Sequence, residues 1–265
     1  MNDKKVFEIL ERGGGLVSES NRIKGAVILA SGYGRRMRKT ACFPSKPMTM
    51  IGAKPLISFA IDLLIESGVE KVFIVYHSVT ADVLKLTDYN SRYVNYLEFV
   101  EEDVQKGTLL SFSRVKQLLE PPFLMVFADI IAEKDDFIDM LNIGKKYIGS
   151  KADLVIQTVN SPSLLSERAF LTKNNKVLKY HKNGITEGEN GNCDVSYGGM
   201  VYLWLRDPFP LVDMYLSRQG YKFSVFLENY VPNHLVYGME IKDMWDVDTP
   251  EAVLMTREIL MKRGY

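Results

Sequence analysis

Residues 26–37, AVILASGYGRRM, run from an unbroken apolar stretch into a turn carrying two glycines and two arginines. Five successive apolar residues suit a strand covered on both faces of a parallel sheet. A turn that only reversed the chain would not need Arg35 and Arg36, whereas a turn that wraps an anion would. Glycine lets the backbone approach a phosphate closely and aim its N–H groups at it. In an open parallel sheet, ligands bind at the carboxyl ends of the strands, and this turn leaves the first strand at that end.

Further apolar runs at 71–76, 122–127 and 153–159 read as buried strands, with helical patterns at 54–67, 79–87, 108–119 and 134–149 between them. This alternation predicts βαβ units, a mainly parallel mixed sheet and helices on both of its faces, a three-layer α/β/α Rossmann-like fold. After residue 160 the texture changes. FLTKNNKVLKY reads as a hairpin, TEGENGNCD as a surface loop and VSYGGMVYLW as a further strand. Helices over 207–218 and 223–230, a strand near 235–241 and a helix from Pro250 complete the pattern. We therefore expect an N-terminal extension over 1–23, made of a short helix at 4–11 and a linker. One domain over 24–265 comes after it, with a doubly wound half at about 24–150 and a second half at about 151–265 that carries a small antiparallel insertion.

The 265 residues carry 33 basic and 33 acidic side chains, so binding nucleic acid through bulk positive charge is excluded. Any anion chemistry must come from locally placed cations. Cys42 and Cys193 form no metal-ligand spacing or disulfide framework, and no run reaches transmembrane length. The start of the chain lacks the apolar core of a signal peptide. A cytoplasmic protein with no membrane partner is expected, its oligomeric state open and a homo-oligomer among the options.

Two glycine motifs can be tested against the turn. The dinucleotide fingerprint wants a third glycine where Met37 stands, and the second strand ends VYHS without the acidic residue that would hold a ribose. The P-loop wants Gly-Lys followed by Ser or Thr, and that is absent too. The wider pattern, LASGYGRRM, then SKPM, then IGAKPLI, resembles the signature of the nucleotidyltransferases that activate sugar phosphates and related small phosphates. Their fold is the nucleotide-diphospho-sugar transferase type.

The resemblance implies that the turn, Ala30, Ser31, Gly32, Gly34 and Arg36, wraps a nucleoside triphosphate, with Lys46 as the phosphate-binding lysine. Ser45 and Met48 replace the usual proline and leucine. QKGTLLS matches the segment that touches the base, which implicates Gly107 and Thr108. In FADI, Asp129 matches a metal-binding aspartate, with Ala128 in place of glycine. MWDVDTPEAV places Asp246 on the second metal ligand, with Asp248 as the fallback. In the second half Lys182 matches an acceptor-binding lysine, His181 stands where sugar-phosphate members carry glutamate, and Tyr197, Gly198 and Gly199 align with the acceptor pocket.

The implied reaction joins a nucleoside monophosphate from an NTP to a phosphorylated small molecule and releases pyrophosphate, with Mg²⁺ as cofactor. Arg36, Lys46 and Asp129 would be its catalytic residues. The acceptor stays open among sugar 1-phosphates, inositol phosphate, choline phosphate and phosphonates. Family members that use uridine or thymidine triphosphate read the pyrimidine with a glutamine five residues before the base-contacting glycine; here that place holds Glu102. An ionised glutamate only accepts hydrogen bonds, which favours the amino group of cytosine over the carbonyl of uracil or thymine. CTP is therefore expected first and UTP or dTTP next; a one-residue slip would give the role to Glu101 or Asp103. Alone, each aspartate could be a helix cap and each lysine a solvated charge. The order and spacing of five segments together set them apart. A catalytically inactive nucleotide-binding module would keep the glycine turn but not the carboxylates.

Overall fold

In a computed structural model describing residues 22–37, 44–104, 106–159, 169–181, 193–218 and 220–263, the opening apolar stretch is strand β1, Gly25–Leu29. Its side chains alternate between two cores: Ala26 and Ile28 enter one, Val27 and Leu29 the other. Both faces of this strand are therefore dry, as its continuous apolar sequence requires. A small hairpin, β2 (Met50–Ile51) and β3 (Lys54–Pro55), leads into helix α1 (Leu56–Glu66), which covers the first face. β4 (Lys71–His77), the single turn α2 (Leu86–Tyr89) and β5 (Leu97–Glu102) come next, then α3 (Thr108–Ser113), which covers the second face.

β6 (Phe123–Phe127), β7 (Ile130–Ala132), α4 (Lys134–Lys145) and β8 (Leu154–Val159) complete the first half. The second half supplies β9 (Ala169–Lys173), β10 (Lys176–His181), β11 (Asp194–Trp204), α5 (Phe209–Arg218) and α6 (Phe223–Asn233). It ends with β12 (Val236–Glu240), β13 (Met244–Asp246) and α7 (Pro250–Lys262). Among the described residues the main sheet has nine strands in the order β5-β4-β1-β6-β11-β8-β12-β10-β9. Its first four strands are parallel, β11 runs against both β6 and β8, and β9 and β10 form the expected antiparallel hairpin. With α1 and α4 on one face and α3, α5 and α6 on the other, the architecture is a three-layer α/β/α sandwich.

Several local expectations are revised. The segment expected as a helix over 79–87 is mostly a 3-10 turn, Ser78–Lys85, because Thr80 departs from helical geometry at φ −121° and ψ 17°. α3 stops at Ser113 rather than 119, and the Ser113 hydroxyl donates to the carbonyl of Leu110 at 2.7 Å. Side chains that bond nearby carbonyls in this way compete with helix propagation. The expected helix over 4–11 and most of the loop over 186–194 lie outside the described residues. Among the described residues no helix is long and apolar enough to cross a membrane.

A third core sits beyond the sheet's end, where Ile131, Trp245, Val247, Val253 and Leu260 pack with Met37, Ile51 and Phe59. There β7 and β13 pair antiparallel, Asp246 opposite Ile130, and the Val247 N–H donates to the carbonyl of Asp129 at 2.9 Å. This ribbon brings the two halves of the chain together at one point.

Candidate active site

The glycine turn after β1 opens into a cavity of 440 Å³. Ala30, Ser31, Gly32, Gly34, Arg36, Lys46, Gly107, Thr108, Asp129 and Asp248 all line it. Two glycines are needed for its shape. Gly34 has φ +56°, and a Cβ there would meet the Lys46 Cβ at 2.8 Å. Gly107 has φ +151°, and a Cβ there would lie 2.5 Å from the carbonyl oxygen of Tyr221. Neither conformation suits a residue with a side chain. Lys46 opens a short 3-10 turn, Lys46–Met48, that Ser45 anchors by donating its N–H to Asp82 at 2.9 Å and its hydroxyl to the same carboxylate.

Asp129, Asp246 and Asp248 each present an oxygen within 4.8 Å of the others. The sequence offered Asp248 as a fallback for Asp246, and the β7–β13 ribbon puts both beside Asp129. Lys46 Nζ donates to Asp129 and to Asp248, and Arg36 donates to Asp248. Burial alone would lower the Lys46 pKa, but the attraction of Asp129 and Asp248 outweighs it and holds the ammonium above its ordinary 10.5. Burial would raise Asp248, yet Lys46 and then Arg36 hold its carboxyl below the ordinary 3.8. Asp129 Oδ1 is buried and has no hydrogen-bond partner among the described residues. Three clustered carboxylates, one with an unpaired buried oxygen, fit a hard divalent cation such as Mg²⁺, which takes oxygen ligands.

Both shifts make stability depend on pH. Asp248, with its lowered pKa, adds stability that is present above pH 3.8 and lost as the pH falls through the folded value. Lys46, with its raised pKa, adds stability that is present below pH 10.5 and lost as the pH rises through the folded value. Across neutral pH the pair's contribution is flat. Lys46→Met leaves the carboxylates facing one another and should cost about 3–5 kcal/mol near neutral pH in chelator. The deficit should shrink at acid pH, where the carboxylates protonate, and on adding Mg²⁺, which binds the folded state. Melting curves at several pH values check this; a deficit indifferent to both pH and Mg²⁺ would contradict it.

Other residues chosen from the sequence lie elsewhere. Glu102 does not line the cavity. It is buried at the end of β5, 1% exposed, behind Ser111, which does line it. The Ser111 hydroxyl donates to Glu102 Oε2 at 2.7 Å and lies 2.9 Å from the Ser31 hydroxyl. Glu102 is thus held behind Ser111 at the end of β5 and does not itself reach the cavity surface. Ser111 was missed, although its place one helical turn after Gly107 and Thr108 puts it on their face. Tyr197, Gly198 and Gly199 lie apart from this cavity, at a register shift in β11. Gly198, at φ +132°, packs on buried Gln157, whose Oε1 accepts from the Met200 N–H at 3.1 Å. Lys182 lies outside the described residues.

Comparison with known proteins adds an independent observation. The family model described as "Nucleotidyl transferase" matches residues 25–163. The chain is 24% identical to mannose-1-phosphate guanyltransferase beta-A of Xenopus laevis, over 86% of this chain and 62% of that protein. It is 24% identical to the bifunctional protein GlmU of Methanocaldococcus jannaschii, over 90% of this chain and 54% of that protein. The chain thus spans little more than half the length of these curated relatives. Its fold is similar to that of the inositol-1-phosphate CTP transferase from T. maritima, with a TM-score of 0.73 at 16% identity over 91% of this chain and 97% of that one.

Proposed function

We propose a function from one premise: the chain belongs to the nucleotidyl transferase family. It joins a nucleoside monophosphate from an NTP to the phosphate of a small molecule and releases pyrophosphate. The observation that carries this reading is the meeting of Lys46 and Arg36 with the Asp129, Asp246 and Asp248 cluster at the mouth of the glycine turn. Phosphoryl-type transfer asks for positioning and charge neutralisation rather than covalent help, and these residues supply both.

The backbone of Gly32 and Gly34 approaches the triphosphate, and Arg36 and Lys46 move from the carboxylates onto its oxygens. There they carry the charge that develops on departing pyrophosphate. Asp129, Asp246 and Asp248 would hold the divalent ion. When bound, that ion neutralises repulsion between the α-phosphate and the incoming phosphate. The acceptor oxygen is already deprotonated near neutral pH, so no side chain is needed to remove a proton. The half over 24–150 holds the nucleotide and the half over 151–265 the acceptor, with Lys182, Tyr197, Gly198 and Gly199 on the acceptor side. A sugar 1-phosphate, an inositol phosphate, choline phosphate or a phosphonate fits this chemistry. CTP comes first among nucleotides, UTP or dTTP next. The names of the relatives support sugar 1-phosphates among acceptors.

A pyrophosphate-release screen crossing four NTPs with a panel of phosphorylated acceptors tests the reading. Mg²⁺-dependent release that needs one acceptor is the expected result. NTP binding without release from any pair would favour the inactive module.

A further inference from the structure

Resting on that reading, we infer that Glu102, Ser111 and Ser31 form a proton-orienting chain that makes this cavity choose cytosine over uracil. The observation is a buried row of three side chains: Glu102 Oε2 accepts from Ser111 at 2.7 Å, and the Ser111 and Ser31 hydroxyls are 2.9 Å apart. All three are buried, at 1%, 1% and 5% exposure. The two serines line the cavity and the carboxylate stands behind them.

Counting protons gives the row a direction. An ionised carboxylate only accepts, and a serine hydroxyl has one proton to give. Ser111 gives its proton to Glu102; the competing acceptor, the Gly107 carbonyl at 3.4 Å, is neutral and farther away. Bonds to ionised acceptors are the stronger kind. In the Ser31–Ser111 bond, Ser31 must therefore be the donor. Whatever else Ser31 touches, its hydroxyl cannot donate a second time. The serine floor of the cavity can accept hydrogen bonds but not give them.

The position suits a base. The metal-binding cluster lies past β6, while Glu102 ends β5, three strand spacings away across β4 and β1. At about 4.8 Å per spacing this is roughly 14 Å. Glu102 thus stands across the sheet's end from the cation cluster, and the two serines lie between them, Ser31 on the turn that leaves β1 and Ser111 one helical turn after Gly107 in α3. Cytosine offers an amino group where uracil has a carbonyl. Against an accept-only floor the amino group is paired, while the carbonyl meets lone pairs and is left unsatisfied. The carboxylate itself has an unusual cost. Glu102 Oε1 is buried without a hydrogen-bond partner among the described residues, a burden that stability alone does not explain. Fixing the proton of Ser111 accounts for it.

Calorimetric titration of CTP and UTP with Mg²⁺, without acceptor, separates the outcomes. Wild type is expected to bind CTP roughly 10- to 100-fold more tightly, the worth of one mispaired buried group. Ser111→Ala frees the Ser31 proton, so it should weaken CTP and strengthen UTP together. Ser31→Ala removes the floor's acceptor and should weaken CTP without strengthening UTP. A purely structural role would weaken both nucleotides in both variants, and that result would overturn the inference. So would a wild-type preference for UTP, dTTP or a purine. Binding of CTP and UTP alike overturns the relay and leaves nucleotidyl transfer standing; failure of every NTP to bind overturns both.

Discussion

Alanine at Asp129, Asp246 or Asp248 is expected to cut turnover by roughly 10²- to 10³-fold each, the usual size of a lost group that stabilises developing charge. The three oxygens converge within 4.8 Å, so each removal takes away a share of the same cation site. The Mg²⁺ concentration needed for half-maximal rate should rise in each variant. Asp248→Ala should in addition strengthen NTP binding measured without metal, because it releases both Lys46 and Arg36 from their resting partner. Asp246→Ala, which leaves the pairs of Lys46 and Arg36 in place, should melt within about 4 °C of wild type, the shift that ~1 kcal/mol makes in a chain this size, whereas Asp129→Ala and Asp248→Ala also lose a partner of Lys46 and should melt lower. Pyrophosphate release across a Mg²⁺ series measures all of this. Wild-type rates in chelator would end the metal assignment.

The second large effect comes from a single methyl group. Gly107→Ala must place a Cβ 2.5 Å from the Tyr221 carbonyl oxygen at φ +151°, where L-residues are strained before any clash is counted. The backbone has to shift, and that backbone lines the cavity and opens α3. The same shift disturbs the Leu109 N–H, which donates to Tyr221 at 2.9 Å. We expect about 1–3 kcal/mol of lost stability from strain alone. NTP affinity should fall by roughly 100-fold, since small misplacements of binding groups cost that much. Gly32→Ala is the contrast: its Cβ would meet nothing within 4 Å, so the fold should melt as wild type does. Equal melting of both variants, with equal NTP affinity, would show that the Tyr221 approach carries no weight.

The sequence made some of this legible and hid the rest for physical reasons. β1 and its turn could be read because a strand dry on both faces needs an unbroken apolar run and then glycine. β5 could not: LEFVEE is an edge strand with exposed Glu98, and acidic side chains on an edge look like a loop. β7 and β13 are three residues each, too short for any periodicity, although they bring the aspartates together. Order and spacing singled out Asp129, Asp246, Asp248 and Lys46. They could not reveal that Lys46 bonds two of those carboxylates. Glu102 was singled out by position, while its burial behind Ser111 depends on packing between β5 and α3 that no local pattern encodes.

The long reach of the ribbon bears on how the protein is made. Arg36 and Asp248, which touch in the folded chain, are 212 positions apart in sequence. On a ribosome, where domains form from the N-terminal end, the glycine turn emerges well before Asp246 and Asp248. Until then the turn carries uncompensated arginines, and contacts of such sequence separation are slow to close. A chain stopped before Asp246 would thus have the arginine-bearing turn and Asp129 but not the other two carboxylates of the cluster.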